Sequence, residues 1–85
     1  MEVNEQLKKF RKEIDIFDEV IVEFLLQRKK HSRRIQRFKE KLGMPNQDPE
    51  REQQLTEALV RGHSQENQIF LLEIYAVILK ACRRD

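Results

Sequence analysis

Arg28 and Lys39 are the residues whose positions first invite a chemical reading. The apolar series Leu7, Phe10, Ile14, Phe17, Ile21 and Phe24 advances by steps of three and four; continued, it reaches Arg28 and His31 before Ile35. A cation at such a position is unusual, because burying an unpaired charge costs several kcal/mol or more. Lys39 follows three helical turns after Arg28, so both side chains point the same way, about 16 Å apart. Ser32 and Ile35 lie between them on that face. A small residue and an aliphatic one, flanked by two long cations, describe the floor of a pocket for a small anion. Taken singly, each cation has a plainer account. Arg28 can snorkel to water where an apolar seam ends, and Lys39 can be a solvated lysine within "RFKEK".

Arg11 is a third candidate. It lies about 25 Å before Arg28 along a helix and is rotated from it by roughly 100°, so it cannot share a small pocket with Arg28 of its own chain. Beside an antiparallel second chain it could complete the neighbour's pocket; alone, it can pair with Asp15, four residues on. The stretch "DPERE" adds more charge. Asp48 followed by Pro49 is a strong helix start, the side chain capping and the ring preset at the first helical position. Arg51 and Glu52 follow within one turn, either as ordinary first-turn charges, with Glu favoured by the helix dipole, or as groups aimed at a site. His31 and His63 have no visible ligand partners, so neither a metal nor another cofactor is expected.

The elements that must position these residues are helices. Residues 4–42 contain neither Pro nor Gly and carry a heptad-like apolar seam that continues through Ile35, Phe38 and Leu42. Gly43 and Pro45 end this helix. A second helix runs from Pro49 to about Arg61, with Leu55 and Leu59 on one face, and stops at Gly62. A third starts near Ser64 and continues to the C-terminus; its middle, "IFLLEIYAVIL", is apolar nearly all round and is expected to be buried. The fold class is therefore all-α: one long, one short and one medium helix. The first would span about 58 Å, whereas a compact chain of this size has a radius of gyration near 12 Å. That mismatch predicts a homodimer in which two long helices pack antiparallel.

Composition narrows the class further. Eighty-five residues, with 17 Lys+Arg against 15 Asp+Glu, make one small domain, residues 1–85, of net charge +2. That balance gives no argument for nucleic acid. No apolar run approaches the roughly 18 residues of a membrane span, and the N-terminus lacks the apolar core of a signal peptide. Cys82 is the single cysteine, so no intrachain disulfide can form, and a cytoplasmic, reducing setting is expected.

With these residues in place, "LKKFRKEIDIFDEVIVEFLLQRKKHSRRIQRFKEKLGMPNQDPEREQQL" resembles the all-helical class of chorismate mutases. In that family an Arg precedes an "EID..D" segment, a second Arg closes a long apolar run, a Lys follows on the same helix, and a "P..D..RE" element comes next. Arg11, Arg28, Lys39, Asp48, Arg51 and Glu52 stand at those positions without a gap. The resemblance covers residues 6 to about 61 well and the third helix loosely. It implies an intertwined three-helix homodimer whose substrate is chorismate, rearranged within the molecule to prephenate. It further implies that Arg28 and Arg11 of the partner subunit hold the two carboxylates and that Lys39 faces the ether oxygen. Glu52 and the backbone near Asp48 would hold the ring hydroxyl, with Arg51 supporting that edge. Glu52 would then point inward while Glu50 and Gln53 face solvent.

The third helix departs from the family pattern. Aligned there, Cys82 occupies a position where the family often carries a Ser that contacts a carboxylate, although a small buried hydrophobe is an equally good account of it. A Gln or Glu that shares the ether oxygen with the lysine would fall at position 86, one past Asp85. Losing that group would lower the rate by about 10²-fold or more, unless the chain is truncated or another side chain, such as Arg83 or Arg84, serves. The same fold also serves isochorismate–pyruvate lyases. Two further alternatives are a weakly active or non-catalytic regulatory module, and a plain coiled-coil dimer in which Arg28 sets specificity.

Overall fold

The computed structural model describes residues 2–82, so Arg83 and Arg84 lie outside the described residues. Three helices make up the fold: α1 (Val3–Leu42), α2 (Pro49–Val60) and α3 (Gln65–Ala81). Each boundary has a local cause. Gly43 ends α1 with φ 68°, the left-handed conformation that glycine adopts without steric cost. Its amide and that of Met44 return to the carbonyls of Glu40 (3.2 Å) and Lys39 (2.9 Å), two last-turn acceptors that α1 itself leaves unpaired. Asp48 caps α2, its carboxylate accepting the Arg51 amide at 3.1 Å, with Pro49 opening the helix. The helix ends close to Arg61 as expected, with Arg61 its extended C-cap. Ser64 caps α3 by accepting the Asn67 amide at 3.2 Å, and Gln68 Nε2 donates back to the His63 carbonyl at 2.8 Å.

The packing is uneven. α2 and α3 lie against each other, and Leu55, Leu59, Leu71, Tyr75 and Ile78 are half-buried. α1 runs out beyond them and sets the long dimension of a molecule of 62 × 28 × 16 Å with a radius of gyration of 17.4 Å. Its N-terminal seam is uncovered: Phe10, Ile14, Phe17, Ile21 and Phe24 are each more than half exposed. The burial expected for "IFLLEIYAVIL" is not reached within one chain. Leu79 is buried, whereas Ile69, Phe70, Leu72, Ile74 and Val77 remain exposed. The physical reason is that α2 can cover a single stripe of α3.

α1 does acquire buried residues in its C-terminal half, and they are polar: Ser32 at 3% exposure and Gln36 at 7%. At the C-terminal end of α3, Leu79 and the C-cap residue Cys82 are buried. The two groups belong together, since Gln36 Nε2 donates to the Cys82 carbonyl at 3.0 Å.

Candidate active site

Lys39 stands one turn before the α1 C-terminus, where the chain turns back toward α2. Its Nζ donates to the Asn46 carbonyl in the connecting loop at 3.3 Å, which holds the ammonium over the entry to α2. There Ile35 and Lys39 of α1 share a shallow cleft of about 450 Å³ with Asp48, Glu50, Arg51 and Gln54. The Asp48 cap and Pro49 fix the direction in which α2 leaves, and so the height at which Arg51 faces α1. Ile35 and Lys39 also line an adjoining, more apolar cleft with Phe38, Leu42 and Met44. The joint surface is an aliphatic floor with a fixed ammonium and a guanidinium at its edge, suited to a partly apolar anion.

Glu52 is half-buried and does not line this cleft; Glu50, exposed, stands at its rim. Arg28 is half-buried, with Nη1 donating to Ser32 Oγ at 3.5 Å. Ser32 and Cys82 line a further cleft on the other flank, with Gln36, Lys29, Arg33 and Arg37. Arg11 is exposed near the far end of α1, about 25 Å from Arg28 along the axis. A single chain thus gathers Ile35, Lys39, Asp48 and Arg51, links Arg28 to Ser32, and leaves Arg11 apart. Among the described residues no group of three His, Cys, Asp or Glu side chains is placed to hold a metal ion, and no helix is long and apolar enough to cross a membrane.

Sequence reasoning missed Gln36. Its signal was its spacing: it lies one turn after Ser32 and three residues before Lys39, on the inner side of α1 despite its polar type.

The sequence profile of the family described as "Chorismate mutase type II" matches residues 10–85, which takes in most of α1, all of α2 and α3, and every residue gathered in the cleft. The chain belongs to the type II chorismate mutase family. A curated relative, the bifunctional chorismate mutase/prephenate dehydratase of Aquifex aeolicus (strain VF5), is 39% identical over 83 residues, covering 92% of this chain. The chain spans 23% of that relative's length. No solved structure matches it at comparable significance. Family membership accounts for the all-helical architecture of the described residues.

Proposed function

We propose that this type II chorismate mutase domain converts chorismate to prephenate by an intramolecular Claisen rearrangement, a step in aromatic amino-acid biosynthesis. The observation that carries the reading is the cleft in which Lys39 of α1 meets Asp48 and Arg51 at the head of α2, within a chain of this family. The rearrangement breaks a C–O bond and forms a C–C bond in one molecule, so it needs neither a nucleophile nor a proton transfer. A site accelerates it by holding the extended substrate in a compact chair and by placing a fixed cation where charge grows on the ether oxygen. Arg28 and Arg11 of the partner subunit clamp the carboxylates, Lys39 meets the ether oxygen, and Glu52 with the backbone at Asp48 holds the ring hydroxyl. Arg51 supports that edge, Ser32 and Ile35 form the floor, and Cys82 lies against a carboxylate. The free thiol of Cys82 suits a reducing, cytoplasmic setting.

This assignment needs a homodimer, since Arg11 cannot reach Arg28 of its own chain. The exposed seam from Phe10 to Phe24 supports one; covering it contributes on the order of 1 kcal/mol or more per side chain. The test is to incubate the purified chain with chorismate and follow its loss and its product. Prephenate above the uncatalysed background is expected. Binding without turnover would mark a regulatory module, and turnover of isochorismate to pyruvate would mark a lyase.

A further inference from the structure

Gln36 lines the cleft on the other flank of α1 from Lys39, and it is the more deeply placed polar group. It is 7% exposed and reaches across 46 residues of sequence to the Cys82 carbonyl. That carbonyl belongs to the end of α3, where the last acceptors of a helix have no partner within it. A buried amide that supplies the missing donor therefore does two things: it satisfies the α3 terminus, and it fixes where that terminus crosses α1. The crossing falls beside Ser32, 3% exposed, whose Oγ accepts from Arg28. Leu79 of α3 and its C-cap Cys82, both buried, sit in the same closing turn, and the Cys82 amide is itself held by the Ile78 carbonyl at 2.8 Å. Gln36 is thus the joint between the helix that carries Arg28 and Lys39 and the helix end that forms the wall beside Ser32.

We infer that Gln36 is a positioning residue: by donating to the Cys82 carbonyl it latches the C-terminal turn of α3 onto α1 and keeps the wall of the substrate site in register with Arg28. Its catalytic consequence rests on the chorismate reading above; the latch itself does not. A glutamate keeps the shape of Gln36 but loses the donor, and a leucine loses all polarity.

The experiment compares Gln36→Leu and Gln36→Glu with the unaltered protein in three measurements: the alkylation rate of the Cys82 thiol by iodoacetamide, amide exchange in the last turn of α3, and kcat and KM for chorismate. An undone latch raises thiol alkylation and last-turn exchange by roughly five-fold or more, the scale of one net hydrogen bond. It does so with exchange in α2 unchanged, and lowers kcat while KM stays nearly constant. Unchanged thiol protection in both variants overturns the latch. Equal loosening of α2 and α3 also overturns it, since that marks a general contribution to stability. If the unaltered protein does not turn over chorismate, the proposed activity fails, while thiol protection and exchange still decide the latch.

Discussion

Arg28 and Lys39 carry the same sign of charge and sit in different settings. Arg28 is half-buried and its Nη1 donates to Ser32 Oγ at 3.5 Å. Lys39 is tied to the Asn46 carbonyl, which keeps a flexible four-carbon stem from sampling other directions. Preorganised cations stabilise developing charge without reorganising at the moment of reaction. Replacing Lys39 by Ala is therefore expected to lower kcat by about 10²–10³-fold with a smaller change in KM. Arg28→Ala removes the carboxylate partner proposed above and should lower kcat/KM by about 10²-fold or more; steady-state kinetics with chorismate checks both. Activity left intact in Arg28→Ala would remove Arg28 from the site.

The turn from α1 into α2 is what carries these side chains to one place. Gly43 reverses the backbone in a left-handed conformation, φ 68°, that a residue with a Cβ adopts at a cost. The Asp48 cap then starts α2 so that Arg51 and Lys39 face one cleft. Asp48→Ala takes away the acceptor of the Arg51 amide. It is expected to cost about 1 kcal/mol, read as a melting temperature lower by a few degrees. Because the same carboxylate sets the angle of the pocket edge, activity should fall more than the lost stability alone explains. A variant that melts lower with unchanged kcat/KM would confine Asp48 to capping.

The molecule as a whole is too long for its own core. With a radius of gyration of 17.4 Å against about 12 Å for a compact chain of this length, it leaves the aromatic seam of α1 in water. Light scattering in solution is expected to give twice the chain mass, and Phe17→Glu, which sets a carboxylate in that seam, should shift the protein toward monomer or unfolded chain. A sharper test uses subunit exchange. Arg11→Ala and Arg28→Ala should each be inactive, yet mixed in equal amounts they should recover about a quarter of the unaltered activity, because each mixed dimer regains one intact site. No recovery on mixing, with exchange of subunits verified, would place both arginines in one subunit's site, and full activity of Arg11→Ala alone would remove Arg11 from it.

Local physics made the helices readable in the chain itself. The step of three and four from Leu7 to Leu42, the glycines at 43 and 62, and the caps at Asp48 and Ser64 each act within a turn or two of sequence, so α1, α2 and α3 follow from them directly. Lys39 and Ile35 were legible as one face for the same reason, since helical periodicity fixes relative direction along a single element. What periodicity cannot express is the path by which one helix meets another. Only the tertiary structure decided that Asp48 and Arg51 join Lys39, that Glu50 rather than Glu52 stands at that rim, and that α3 ends on Ser32 and Gln36. Gln36 drew no reading from the sequence because its partner is a backbone carbonyl 46 residues away. A backbone acceptor has no side-chain signature, so its position emerges only when the chain has folded.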